Sequence, residues 1–198
     1  MNIFHTHYEY LKNEASLLLK IVQQSHASTL SAKTDVIDQN DSQENAVDRF
    51  RQLSSFATLT ADDNNALNDL QLKHAFNVIA VENGYESWND LKSALDNAAE
   101  NSPLAEIKEQ FYPKGFTTYW NIWFAKYSQA KKVLGEGRGY LLPFKNQYFI
   151  VEEHFVDSIG LPHTLREWKE IGNDWVHPKN VKAWLALNER YANVMKDR

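Results

Sequence analysis

The chain has 198 residues, of which 43% are hydrophobic and 24% are charged, and it contains no cysteine. These proportions are ordinary for a globular protein, and the length favours one domain or two small ones. The missing cysteines exclude disulfides and thiolate zinc sites, and no apolar run approaches the roughly 18 residues that span a bilayer, so we expect a cytoplasmic protein without a membrane segment.

The net charge of -5 is distributed unevenly along the chain. Residues 1–100 carry 7 Lys and Arg against 15 Asp and Glu, a net charge of -8, whereas residues 101–198 carry 14 against 11, a net charge of +3. Such different surfaces predict two units, and the polar stretch that ends at Pro103 suits a boundary between them. We therefore expect a helical module at residues 1–100 and an aromatic-rich unit at residues 104–198.

Residues 3–24 predict an amphipathic helix. Its apolar side chains recur every three or four positions and so share one face: Phe4, Tyr8, Leu11, Ala15, Leu18 and Val22. We expect this face to pack on the rest of its own domain. The same spacing resembles a heptad repeat, so a coiled-coil seam that would make the protein a homodimer is the alternative.

Two further helices and a tight turn are predicted in the first half. Residues 67–83 form the first helix, whose buried face is Leu72, Ala75, Phe76, Ile79 and Ala80. Gly84 ends it, because glycine adopts the left-handed conformation without strain. Ser87 caps the next helix with support from Asp90, and Trp88 is expected to wedge between the two helices.

This segment resembles a helix-turn-helix of the form "apolar helix, then G-aromatic-x-S-W-x-x-L-K". The matching residues are Gly84, Tyr85, Ser87, Trp88, Leu91 and Lys92. The segment recurs in a bacterial helical family of uncharacterised activity, and it is also appended to some ankyrin-repeat and glyoxalase-superfamily proteins. The resemblance covers residues 67–95 and implies a small bacterial helical module. It carries over no catalytic residue, and the chain contains neither ankyrin repeats nor a glyoxalase metal pattern.

Aromatic residues are concentrated in the second half. Of the 25 in the chain, 13 fall between Phe111 and Phe155. Thr117 or Thr118 is predicted to cap a helix that runs to Leu134, because apolar residues follow a helical spacing: Trp120, Trp123, Phe124, Tyr127, Ala130 and Leu134. This helix and the segment that follows it are expected to form the hub of the second half.

A β-hairpin is predicted at about residues 139–151. Two apolar runs flank the two-residue turn Lys145-Asn146. Pro143 cannot donate a ladder hydrogen bond, so its strand lies at an edge or contains a bulge. A lone hairpin is marginal in water, so helices must cover it. The expected fold class is mainly α, with a helical N-terminal module and a C-terminal α+β unit that contains one β-hairpin.

Three more helices complete the predicted second half. Residues 152–159 form the first, and Thr164 with Glu167 forms a capping box for the second at residues 165–171. The last begins after Pro178, which suits the first turn of a helix. It is expected to bury Val181, Trp184, Leu187, Tyr191 and Val194.

A candidate binding site borders the aromatic hub, because five cations accompany the aromatic residues there: Lys126, Lys131, Lys132, Arg138 and Lys145. Aromatic faces next to cations can stack bases or hold an anionic ligand. We therefore expect a non-enzymatic binding or interaction module with an aromatic-lined, cation-flanked pocket for a small anionic ligand or a protein partner. The candidate ligand-binding residues are Trp120, Trp123, Tyr127, Arg138, Tyr140 and Lys145. A core of aromatic residues with a solvated rim of lysines is the purely structural alternative.

Two other classes of function stay open. A small enzyme would use Glu153, His154 and His177 for acid–base chemistry if the fold brings them together. A nucleic-acid-binding protein is the third hypothesis, although the acidic first half is a poor surface for phosphates. We expect no metal and no cofactor. No histidine pair has the spacing of a metal site, and the glycines of GEGRG follow a helix instead of opening one.

Overall fold

The computed structural model describes residues 2–23, 43–102, 111–112, 120–137 and 139–196. Within these ranges it confirms a mainly helical protein with a small sheet in its second half. The helices are α1 (Ile3–Gln23), α2 (Gln43–Arg51), α3 (Asn64–Asn68), α4 (Leu72–Glu82), α5 (Trp88–Asn101), α6 (Tyr127–Gly135), α7 (Glu153–Ser158), α8 (Arg166–Glu170) and α9 (Val181–Lys196). The strands are β1 (Asn121–Phe124), β2 (Tyr140–Phe144) and β3 (Gln147–Val151). Among the helices in these ranges, none offers the sustained apolar length that crossing a bilayer requires.

The chain divides into two compact units, and the division falls within α5. The N-terminal unit is Thr6–Ser93. The C-terminal unit is Ala94–Arg198 together with Met1–His5. The boundary expected from composition, at residues 100–104, lies slightly later in the chain.

The core of the N-terminal unit is built on one face of α1. The stripe expected from the spacing of apolar residues is buried there at Leu11, Ala15, Leu18 and Val22. The helices α2 and α4 contact each other and contribute further fully buried side chains: Ala46, Val47, Phe50, Ala75, Val78, Ile79 and Ala80. Burial of these apolar surfaces is the main stabilising contribution in this unit.

One guanidinium group joins three helices of the N-terminal unit. Arg49 on α2 donates to both carboxylate oxygens of Glu82 on α4 at 2.8 Å and to Glu14 on α1 at 2.9 Å. Partial burial opposes the charged form of Arg49, but the hydrogen bonds and charges of Glu82 and Glu14 outweigh it and hold the pKa of Arg49 above its ordinary value. The network fixes the relative positions of α1, α2 and α4.

The turn between α4 and α5 has the geometry expected from the sequence. Gly84 adopts a φ of +84°, which a side chain would strain. The hydroxyl of Ser87 accepts from the backbone N–H of Asp90 at 3.2 Å and donates to its carboxylate at 2.6 Å. The indole of Trp88 stacks on Phe76 with ring centroids 4.5 Å apart, so it holds the two helices together.

The single helix expected at residues 67–83 is wrong, because the chain breaks there into α3 and α4. The side chain of Asp63 accepts from the backbone N–H of Ala66 at the start of α3. A new start follows at Gln71, whose backbone N–H donates to the ring of His74. Leu72, expected in the core, is consequently 39% exposed at the first turn of α4.

The sheet of the C-terminal unit has three antiparallel strands in the order β1-β3-β2. The predicted hairpin is present as β2 and β3, and Lys145 takes a φ of +53° in its turn. Leu141 also forms a parallel bridge with Asp174 on the other side of β2, so this strand is held from both sides. Pro143 faces Tyr148 in an unbroken register, one pair before the end of the ladder.

The helix predicted from Thr117 or Thr118 to Leu134 is wrong in its first half. Residues 113–119 lie outside the described part of the chain, and Asn121–Phe124 form β1. The helical part is α6, which begins only at Tyr127. Pairing of β1 with β3, far along the sequence, overrides the helical spacing of the aromatic residues.

The two faces of the sheet are covered differently. Helix α6 contacts all three strands and packs Ala130 and Leu134 against Leu141 and Ile150. On the opposite face Trp123 stacks on Phe149 with centroids 4.8 Å apart, and further aromatic rings surround this pair: Tyr112, Phe144 and Phe155. Alternation along each strand sends neighbouring side chains to opposite faces.

The remaining helices complete the core of the C-terminal unit. Val181, Trp184, Leu187 and Tyr191 of α9 are buried as expected. The capping box predicted from Thr164 and Glu167 is wrong, because α8 begins after Leu165, which makes no side-chain cap. At α9 the side chain of Asn180 accepts from the backbone N–H of Ala183.

Candidate functional site

The register of the sheet brings three chain segments to one edge. Asn121, Val151 and Tyr140 are aligned in a row across the three strands. Trp120 directly precedes β1, and Glu152 directly follows β3. Residues close to these strand ends therefore meet at the same edge, although they are distant in the sequence.

A pocket of about 610 Å³ lies at this edge. The residues that line it are Trp120, Gly137, Gly139, Tyr140, Glu152, Glu153, His154 and Asn173. Its volume falls within the range of about 300–1,000 Å³ that is usual for small-molecule sites. All of these residues belong to the C-terminal unit.

Gly139 allows the loop after α6 to pass close to the end of β3. Its φ is +70°, and a Cβ at this position would lie only 2.4 Å from the carbonyl oxygen of Val151. Gly137, with a φ of +82°, has open space where a Cβ would point. One of the two lining glycines is therefore required by close packing and the other by backbone conformation alone.

Two aromatic residues of the pocket differ in exposure. Trp120 is 52% exposed and presents its indole as a binding surface. Tyr140 is mostly buried, and its ring packs edge-on against Trp168 with centroids 4.9 Å apart. Burial, followed by the carboxylates of Glu153 and Asp157, raises the pKa of Tyr140, so its hydroxyl stays a hydrogen-bond donor.

One wall of the pocket is acidic and lies at the start of α7. Glu152, Glu153 and His154 are all exposed. One turn further along α7, Asp157 accepts from the backbone N–H of His163 at 2.7 Å and contacts its ring Nδ1 at 2.9 Å. The Nε2 of the same ring lies 3.9 Å from the Glu153 carboxylate. A chain of ionisable groups thus runs from Asp157 through His163 to the pocket wall.

Hydrogen bonds shift the pKa values within this chain in opposite directions. The backbone N–H of His163 and then its ring hold the pKa of Asp157 below its usual range. The hydrogen bond that the His163 ring donates to Asp157, with a smaller contribution from the Glu153 charge, raises the pKa of His163. Each partner therefore favours the charged form of the other.

The structure distributes the six predicted binding residues among several places. Trp120 and Tyr140 line the pocket. Trp123 lies on the aromatic face of the sheet, and Lys145 lies in the hairpin turn with its ammonium group 5.3 Å from the Phe144 ring centroid. Tyr127 donates to the buried Asp174 in a second polar cluster, and Arg138 lies outside the described residues.

The expected flanking of the pocket by lysines is not what the structure presents. None of the four lysines between residues 126 and 145 lines the pocket. Lys131 instead forms an ion pair with Asp174 at 3.0 Å. Within the described residues, the charged groups of the lining are the carboxylates of Glu152 and Glu153.

A second polar cluster, called here the Asp174 cluster, consists of Tyr127, Lys131, Asp174 and His177. The Asp174 side chain is fully buried and accepts from the Tyr127 hydroxyl at 2.7 Å and from Lys131 at 3.0 Å. Its other oxygen accepts from the backbone N–H groups of Val176 and His177, each at 3.0 Å. The cluster therefore fixes α6 to the loop that precedes α9.

His177 is held in its neutral form within this cluster. Burial lowers its pKa to about 4, against a smaller opposing effect of the Asp174 charge and in the same direction as Lys131. The Tyr127 ring packs edge-on against the imidazole with centroids 4.4 Å apart. This environment is that of a structural histidine.

The three residues of the acid–base hypothesis are consequently divided between two places. Glu153 and His154 line the pocket, whereas His177 lies in the Asp174 cluster and is not part of the lining. The histidine that lies near Glu153 is His163. In the part of the chain that the structure describes, no group of three His, Cys, Asp or Glu residues could hold a metal ion.

Sequence reasoning missed Glu152, Asn173 and His163 as residues in or beside the site. The hairpin register could have indicated the first, since pairing of Tyr140 with Val151 places Glu152 beside the start of β2. No local signal indicates Asn173, which reaches the site because its carbonyl accepts from the backbone N–H of Leu141.

The chain matches no protein-family model, no curated protein and no solved structure. The resemblance of residues 67–95 to a bacterial helix-turn-helix segment therefore stays a prediction. Function has to be inferred from the chemistry of the site, because a fold alone does not specify it.

Proposed function

We propose that the protein is a non-enzymatic binding module whose C-terminal unit takes a small organic cation into the pocket at the edge of the sheet. The observation that carries this proposal is the pairing of a half-exposed indole, Trp120, with the exposed carboxylates of Glu152 and Glu153 in one pocket. A protonated amine, a guanidinium or a quaternary ammonium group suits both kinds of surface. The cysteine-free sequence supports a reducing, cytoplasmic location for this module.

Two interactions would hold such a ligand. An indole face attracts a cation by about 0.5–1 kcal/mol at an exposed site. Carboxylates add a charge attraction that amounts to at most about 1 kcal/mol for each exposed pair. Because four of the lining side chains are themselves exposed, we expect modest affinity and rapid exchange.

The charge of the lining is the reason for preferring a cation over the anionic ligand that the sequence suggested. None of the lysines on which that expectation relied lines the pocket: Lys131 pairs with Asp174, and Lys145 lies in the hairpin turn. An anion would be repelled by Glu152 and Glu153. A nucleic acid would meet the same repulsion.

A titration followed by two-dimensional NMR tests the proposal with choline and agmatine as cations, glucose as a neutral probe and citrate as an anion. We expect the cations to shift resonances of Trp120 and of the backbone from 152 to 154. Preferential binding of citrate or glucose at these residues would refute the cation assignment. An absence of shifts with all four probes would refute the site.

Matched variants assign the contacts. Trp120→Ala should weaken choline binding by about two- to fivefold, the equivalent of about 0.5–1 kcal/mol, whereas Trp123→Phe on the sheet's aromatic face should leave it unchanged. The double variant Glu152→Gln/Glu153→Gln should weaken it by about tenfold, and Glu170→Gln, outside the lining, provides the charge control.

A further inference from the structure

A histidine lies behind the acidic wall of the pocket and shares one of its carboxylates. The Asp157 carboxylate accepts from the His163 backbone N–H at 2.7 Å and contacts the ring Nδ1 of His163 at 2.9 Å. These contacts fix the orientation of the ring. The opposite ring nitrogen, Nε2, then lies 3.9 Å from the Oε2 of Glu153. Glu153 and Asp157 are four residues apart, so they lie on the same side of α7.

The tautomer of the neutral ring follows from this arrangement. A carboxylate only accepts hydrogen bonds, so Asp157 keeps the proton on Nδ1 and leaves a lone pair on Nε2. That lone pair offers no hydrogen to Glu153. When His163 takes up a second proton, Nε2 becomes a charged donor that faces the Glu153 carboxylate at the distance of an ion pair.

We propose that protonated His163 and a bound organic cation compete for the carboxylate of Glu153, so that uptake of a proton at His163 weakens ligand binding. This inference rests on the proposed function and specifies how the same site is regulated. At low pH the Glu153 carboxylate pairs with protonated His163, and at higher pH it can pair with the ligand in the pocket. Affinity for the ligand should therefore rise with pH.

The other ionisable groups around His163 define the range over which this happens. Asp157, whose pKa lies below its usual range, stays ionised when His163 titrates, and Tyr140 on β2, whose pKa is raised, stays neutral. His154 on α7 also acts on Asp157 and lines the pocket, so it is the rival ionisable group. Because Asp157 raises the pKa of His163 above its ordinary value of 6.5, the gain in affinity should occur as the pH rises through and beyond that value.

Choline is the suitable probe, because its quaternary ammonium group keeps its charge at every pH. We expect its affinity to rise by about two- to fivefold between about pH 5 and about pH 9, the size expected of one exposed ion pair. Linkage is reciprocal, so saturating choline should lower the NMR-measured pKa of His163 by the logarithm of that factor, about 0.3 to 0.7. This second readout needs no variant and is insensitive to folding defects.

Variants separate the two histidines. His163→Gln should remove the pH dependence, and Asp157→Asn should move its midpoint to lower pH. His5→Gln, an exposed position outside the site, should change neither quantity. If the dependence persists in His163→Gln and disappears in His154→Gln, the rival histidine is responsible and the inference is overturned.

The outcomes for the wild-type protein distinguish this inference from the proposed function. Choline binding with a pH-independent affinity and an unchanged His163 pKa would overturn the inference and leave the proposed function standing. Absence of choline binding at every pH would overturn both.

Discussion

Replacing Asp174 is expected to destabilise the C-terminal unit more than any other single loss of a polar group described above. Its side chain is fully buried and accepts four hydrogen bonds, from Tyr127, Lys131 and the backbone N–H groups of Val176 and His177. Asp174→Ala leaves these donors without the buried carboxylate that accepts from them.

The magnitude follows from the character of each contact. Hydrogen bonds to a charged group contribute about 1.5–3 kcal/mol each, but their losses are not additive. The Lys131 side chain is 41% exposed and can be solvated, so its part is small. We expect Asp174→Ala to lower the free energy of unfolding by about 3–5 kcal/mol, because three donors other than Lys131 lose a charged acceptor and their losses are less than additive. Asp174→Asn, which can keep an acceptor for the backbone, should cost about half as much.

Urea unfolding followed by tryptophan fluorescence is the appropriate assay, because five of the six tryptophans lie in the C-terminal unit. Tyr127→Phe should cost about 1–2 kcal/mol and Lys131→Met less than about 1 kcal/mol. A loss below about 1 kcal/mol for Asp174→Ala, or a larger loss for Lys131→Met than for Asp174→Ala, would refute this account of the cluster.

Two further predictions concern the glycine turn and acid stability. Gly139→Ala should lower the free energy of unfolding by about 2–4 kcal/mol, since it combines a positive φ with a clash against Val151. Gly137→Ala, which has only the positive φ, should cost about 1 kcal/mol. Equal losses in urea unfolding would contradict the close approach of Gly139 to Val151. The pKa of His177 is about 4 in the folded protein and 6.5 in the unfolded chain, so the unfolded state binds a proton first as the pH falls. The free energy of unfolding should therefore drop by up to about 3 kcal/mol between pH 6.5 and pH 4. Urea unfolding at several pH values checks this, and an equally steep drop in His177→Gln would exclude His177 as its cause.

Elements stabilised by their own sequence were predictable. The stripe of α1, the turn at Gly84 with its Ser87 cap, and the hairpin around Lys145 all depend on residues close together in the chain. Their periodicity and turn chemistry are local signals, so they survive in the folded structure.

The largest error arose where a distant partner decides the local conformation. Trp120, Trp123 and Phe124 have helical spacing, yet β1 forms because β3 offers it a ladder more than twenty residues further along. In the strand, the alternation of Ile122 and Phe124 toward one face and Trp123 toward the other satisfies both sides of the sheet. A spacing of three and four residues cannot be distinguished from this by periodicity in so short a segment.

The candidate site was predictable in part for the same reason. Trp120 and Tyr140 were predicted from their place in the segment rich in aromatic residues and cations, and both line the pocket. The acidic wall was not predictable, because its position depends on which strand ends meet. The positions of the lysines were not predictable either, because the buried Asp174 forms an ion pair with one of them. These are consequences of tertiary pairing, and the amino-acid types alone do not encode them.

The strand order implies that some residues lining the pocket are held more firmly than others. Tyr140 begins a hairpin closed by a two-residue turn, and Glu152 directly follows that hairpin. Leu141 anchors the hairpin further through its bridge to Asp174. Trp120 instead precedes an edge strand of four residues whose ladder joins segments far apart in the chain, the kind of pairing that forms late and opens at low cost. Trp120 is therefore expected to be held less firmly than Tyr140 and Glu152, and faster amide hydrogen exchange in β1 than in β2 is the expected consequence.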